Sequence, residues 1–122
     1  MKDALTDQII GCAIEVHKSI GPGLLESAYE ACLVHELLWA GLGVVRQVPI
    51  QIDYKGKIID CAYRADVIVN DEVLIELKSV EVLKPVHEAQ MLTYLKLSGL
   101  QKGLLMNFNV RLLKDGLRRM VL

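Results

Sequence analysis

Apolar residues recur every three or four positions over the first third of the chain, and every second position over much of the rest. From Leu5 to Ile20, the residues Ile9, Ala13, Val16 and Ile20 keep helical spacing. Thr6 or Asp7 suits the N-cap, and Gly21-Pro22-Gly23 stops the helix. A second helix is predicted from Leu24 to Ala40, with Leu25, Ala28, Cys32 and Leu37 inward and Gly41 and Gly43 ending it. The two form an αα-hairpin.

From Val44 the period is two. Val48, Ile50 and Ile52 alternate with polar neighbours, Tyr54-Lys55-Gly56-Lys57 turns the chain, and Ile58 to Tyr63 returns. Arg64 to Val69 continues that strand or bends from it. Asn70-Asp71-Glu72 then separates the apolar runs Val67–Val69 and Val73–Leu77, which reads as a second hairpin. Pro85 fits the first turn of a third helix, Lys84 to Leu97, ended by Gly99. Gly103 to Phe108 reads as a buried strand and Leu117 to Leu122 as an edge strand. This order predicts an α+β (mixed α/β) domain, a mixed sheet with helices packed on it. No repeat, low-complexity run or linker interrupts it, so a single domain over residues 1–122 is expected.

Composition narrows the picture. The chain is 52% hydrophobic and 24% charged, which argues against disorder. A net charge of −1 gives no basic nucleic-acid footprint at whole-chain level. Phosphate binding would need a local patch, a metal or a partner chain. Cys12, Cys32 and Cys61 form no C-x-x-C pair, so neither a zinc site nor a disulfide framework is indicated. They read as buried free thiols in a reducing compartment. With no signal peptide and no apolar run of about 18 residues, a cytoplasmic setting without membrane contact is expected.

The candidate chemistry sits in the second hairpin. Alternation puts Glu76 and Lys78 on one face and Leu77 on the other, and the turn folds Asp66 back toward Glu76. Burying two carboxylates and an ammonium is costly unless they pair or hold a metal. Such a group is suited to holding Mg²⁺ and activating a water. On the third helix His87, Gln90 and Tyr94 share a stripe that suits a phosphate or substrate-bound water. On the second helix Glu26 lies in the first turn, where the dipole favours a carboxylate, and Tyr29 follows one turn later. Glu15 and His17 close the first helix.

Each feature has a plainer reading. Asp66, Glu76 and Lys78 also fit an ion-paired hairpin on spacing alone. The His87 stripe also fits a solvated face, Glu26 a dipole residue without ligand, and Tyr29 a core position. Trp39 reads as packed or at an interface. Arg111, Lys114, Arg118 and Arg119 read as a solvated basic edge ahead of a contact to nucleic-acid backbone.

Taken together, Glu15-Val16-His17, Gly21-Pro22-Gly23 with Glu26 and Tyr29, Arg64-Ala65-Asp66, Glu76-Leu77-Lys78, His87 to Gln90, Tyr94-Leu95-Lys96 and Gly103 to Phe108 closely resemble the GxxExxY family. That family is assigned to the PD-(D/E)XK nuclease superfamily, and the likeness covers nearly the whole chain. It implies a restriction-endonuclease-like core, a central mixed sheet flanked by helices and preceded by the αα-hairpin. It implies a metal-dependent nuclease with a lambda-exonuclease/RecB-like active site, acting on DNA ahead of RNA. Asp66, Glu76 and the Leu77 carbonyl match metal-binding positions, for Mg²⁺ or Mn²⁺. Lys78 matches the residue that orients or deprotonates water. Gln90 and Tyr94 match the helix residues of such sites. Glu26, or less closely His17, matches the contribution of a preceding helix. Ala65 stands where the superfamily has proline. The alternatives are a catalytically silent nucleic-acid-binding or regulatory module, and a subunit active only in a homo-oligomer or with a partner protein.

Overall fold

Helix α1 (Ala4–Ile20) begins at Asp3, whose Oδ2 accepts the Thr6 N–H at 3.2 Å. The cap is therefore Asp3 in place of Thr6 or Asp7, and Asp7 is free to pair with Arg119 across the domain at 2.8 Å. The molecule is seen in a computed structural model that describes residues 3–122 and every side chain in that span except those at 61 and 62. Ile9, Ala13 and Val16 are buried as the spacing predicts, whereas Ile20, at the last position of the helix, is exposed.

Helix α2 (Glu26–Trp39) starts later than expected. Leu25 is its N-cap and stands 76% exposed, so it cannot be an inward residue. The buried stripe is Tyr29, Leu33 and Leu37 at four-residue spacing, with Ala28 and Cys32 half-buried beside it. Cys12 and Cys32 are free thiols, half-buried rather than buried. Cys61 lies in a strand, and the expectation of a buried thiol there falls on a side chain outside the described residues.

The strands are β1 (Val44–Tyr54), β2 (Lys57–Val69), β3 (Val73–Lys78), β4 (Lys102–Asn107) and β5 (Leu117–Val121). They form one sheet in sequence order, antiparallel except for the β3–β4 pair. Arg64 to Val69 continues β2 without a break. Parallel neighbours need a crossover, and helix α3 (Pro85–Ser98) supplies it between β3 and β4. Alternation along β3 divides the core in two. Val73, Ile75 and Leu77 pack with α1 and α2, while Leu74 packs on the other face with Met91 and Leu95 of α3.

The β2–β3 turn needs two left-handed residues, and Asn70 (φ 52°) and Asp71 (φ 54°) are types that tolerate that region. Asn70 also clasps the start of β1: its N–H reaches the Gly43 carbonyl at 2.9 Å and its Oδ1 takes the Gly43 N–H at 2.8 Å. From this turn the β2–β3 ladder runs only from Val69↔Val73 to Val67↔Ile75. The β1–β2 ladder continues to Tyr54↔Lys57, so the two strands leave the sheet as a ribbon.

Candidate active site

The site forms where β2 and β3 part. One step beyond the last pair, Val67↔Ile75, lie Asp66 and Glu76 on the α3 side of the sheet. The Leu77 N–H has no strand partner there, and Asp66 Oδ2 accepts it at 2.9 Å. A side chain thus replaces the missing ladder bond and pins the first carboxylate beside the second.

Glu76 is 5% exposed, and its Oε1 is buried with no hydrogen-bond partner. Such an atom is costly to leave unpaired. Burial, then the hydrogen-bonding and repelling carboxylate of Asp66, push the Glu76 carboxyl up to about 9, with Lys78 pulling the other way. Without a cation, Glu76 therefore holds a proton near neutral pH.

Lys78, two residues on, faces the same side. Its Nζ donates to Gln90 Oε1 at 3.4 Å, and Gln90 Nε2 donates to the Tyr94 hydroxyl at 3.2 Å. One turn of α3 thus orients the ammonium. Burial, then the Glu76 and Tyr63 groups, raise the Tyr94 phenol above its usual range, so it remains a hydrogen-bond donor. The exposed ring of Tyr63, from the ribbon, lies 6.1 Å from that of Tyr94.

The other predicted residues are spread around this centre. Glu26 reaches the end of β3 from the α2 side, where its Oε2 accepts the Ser79 N–H at 3.4 Å. His87 Nδ1 accepts the Lys84 N–H at 3.0 Å and closes the start of α3. His17 belongs to the α1 layer, with Nε2 at 3.1 Å from the Phe108 carbonyl and 2.8 Å from that of Val110. Tyr29 is fully buried, its hydroxyl donating to Gly21 O at 2.6 Å and accepting from Leu24 N at 3.1 Å. The sequence reading assigned no role to Asn107, which secures the chain just after Lys78. Its Nδ2 donates to Val80 O at 2.9 Å, and its Oδ1 accepts Val80 N at 3.1 Å and Asn109 N at 3.2 Å. The signal was there in kind: a polar residue closing the apolar run Leu104–Met106.

Among the described residues, no three His, Cys, Asp or Glu side chains cluster as a ligand set. The site offers two carboxylates, one with an unpartnered buried oxygen. All-oxygen donors in small number fit Mg²⁺ or Mn²⁺, which keep waters in their shell.

Helices thus lie on both faces of a mixed sheet, and an acidic pair stands beside a lysine at the end of its central strand. The profile of the PD-(D/E)XK nuclease superfamily matches residues 3–120, and the chain belongs to that superfamily. Its members are generally nucleases that use divalent metals, which supports a hydrolase acting on nucleic acid. No curated protein and no solved structure matches the chain significantly.

Proposed function

We propose that this protein is a divalent-metal-dependent nuclease that hydrolyses phosphodiester bonds, in DNA ahead of RNA. The carrying observation is the buried, unpartnered Glu76 Oε1 beside Asp66 and a lysine held by Gln90. Asp66, Glu76 and the Leu77 carbonyl would hold Mg²⁺ or Mn²⁺, with Glu26 as a further ligand from α2. The bound ion would polarise a phosphoryl oxygen and acidify a water.

This chain's own residues supply the rest. Lys78 orients the attacking water and offsets charge growing on the phosphate. Gln90 holds the Lys78 ammonium, and Tyr94, which accepts from Gln90 Nε2, keeps its own O–H to donate to a phosphate oxygen. His87 keeps Nε2 for a phosphate contact, since Nδ1 serves the helix start. His17 serves the substrate indirectly, through the loop after β4. Free thiols at Cys12 and Cys32 suit a reducing, cytoplasmic setting, and no helix is long and apolar enough to cross a membrane among the described residues.

Lys78→Ala is expected to cut metal-dependent cleavage by roughly 10²-fold or more while the circular dichroism spectrum stays unchanged. A panel of single-stranded DNA, duplex DNA and RNA gives the substrate. Undiminished cleavage by the variant would remove the lysine from the mechanism. A silent module would bind the panel without turnover. The reading as an assembly subunit has one observation in its favour: Trp39, at the end of α2, is 79% exposed with Leu38 beside it at 56%. Light scattering that shows a monomer would set it aside.

A further inference from the structure

The basic residues near the C-terminus do not act as one edge. Arg119 is committed to Asp7 and Thr6, and Arg118 turns back on the carbonyls of Asp115 and Leu117. Arg111 and Lys114 do something else. With Lys18 of α1 they line a recess of about 520 Å³ closed on its other side by Gly21 and Pro22. No carboxylate lines it, and none of the three cations forms an ion pair among the described residues.

Both walls of this recess are tied to the end of β3. His17 bonds the carbonyls of Phe108 and Val110, and the Phe108 N–H donates to the Lys78 carbonyl at 2.9 Å. On the other wall, the α1–α2 connection reaches Ser79, whose hydroxyl donates to Leu24 O at 2.7 Å. Segments bordering the recess are therefore linked by hydrogen bonds to the end of β3 that carries Lys78.

We propose that this recess binds the sugar-phosphate backbone of the nucleic acid, holding the strand on the α1 side of the active centre. The inference rests on the nuclease reading for the ligand's identity. Net charge of −1 leaves the whole molecule no general attraction for nucleic acid, so grip must come from a local set of unpaired cations. Lysine and arginine with no carboxylate among the lining residues are suited to phosphate and carry no base preference. The apolar floor accommodates the sugar.

The test is fluorescence anisotropy of the full chain with labelled single-stranded DNA and RNA of one sequence, in EDTA, over a salt series. The variant is Lys18→Ala with Arg111→Ala and Lys114→Ala, and Arg118→Ala is the control. The triple variant is expected to lose roughly tenfold or more in affinity and to flatten the log K against log salt slope by about 2, at about 0.7 per phosphate contact. Arg118→Ala should bind as the parent does, and melting curves should match. A triple variant with the parental affinity and slope overturns the proposal, as does a parent that binds neither strand. Cleavage assays with Mn²⁺ separate the two readings. A parent that cleaves, with a triple variant of unchanged KM, sinks the recess and leaves the nuclease standing. A parent that binds without cleaving, with a triple variant that fails to bind, sinks the nuclease and leaves the recess.

Discussion

Glu76 sets the behaviour of the centre at the scale of single residues. Its carboxyl is raised to about 9, so the metal-free folded protein keeps a proton that the unfolded chain gives up near the ordinary carboxylate value. Between those two values the folded state binds more protons, and stability falls as pH rises. Melting temperatures in EDTA are expected to drop from pH 5 to pH 9, and Glu76→Gln should remove most of that slope. A cation must displace the same proton, so Mn²⁺ affinity should rise over this range with proton release, measured by titration calorimetry in buffers of different ionisation enthalpy. A pH-independent affinity would mean that Glu76 is not a ligand. Strand alternation made Glu76 and Lys78 legible as partners, because period two allows only two faces. Asn107 was not legible as an anchor, because its three bonds go to backbone groups whose positions follow from the fold.

At the scale of elements, β1 places a left-handed residue across from Asp66. Arg46↔Val67 and Val48↔Ala65 flank it, which sets Gln47 opposite Asp66. Gln47 has φ 49°, and its side chain turns to the α2 layer, where Nε2 donates to Glu30 Oε1 at 2.7 Å. Arg46 donates to the other oxygen of the same buried carboxylate at 2.9 Å. Left-handed backbone at a non-glycine residue persists only when its surroundings hold it. Arg46→Ala leaves the Glu30 carboxylate buried with one donor fewer and should cost about 2 kcal/mol in urea unfolding, toward the low side because Arg46 is 47% exposed. Glu30→Gln should cost less, since an amide is cheaper to bury than a carboxylate. The sequence marked the β2–β3 turn well, because Asn70 and Asp71 carry local conformational preferences. In α2 it placed Leu37 inward and gave Tyr29 a core reading but took Leu25 as inward and passed over Leu33, because several apolar residues compete for the inward face and only packing on the sheet chooses among them.

For the whole molecule, the proposed metal site would link ion binding to folding. A cation bound only by the native state should add about 2.7 kcal/mol at a hundredfold excess over its Kd. Thermal unfolding with and without Mn²⁺ measures this, and Asp66→Asn should abolish the gain. A gain that survives in Asp66→Asn would place the ion elsewhere. The layered arrangement explains why one sheet end concentrates chemistry. The parallel β3–β4 pair, the α2 start and the α1–α2 connection all terminate there, so groups from distant segments meet at Lys78 and Ser79.

By itself the sequence determined the element order, the strand pairing around Asn70–Glu72, and the shared face of Asp66, Glu76 and Lys78. These follow from local periodicity and turn preferences, which a linear chain displays. Tertiary structure alone decided that the β2–β3 ladder stops one step before Asp66, leaving the Leu77 N–H for its carboxylate. It also decided that Glu76 keeps an unpaired oxygen and that Lys18 meets Arg111 and Lys114 around one recess. Burial and long-range proximity depend on how layers pack, and no local spacing encodes them.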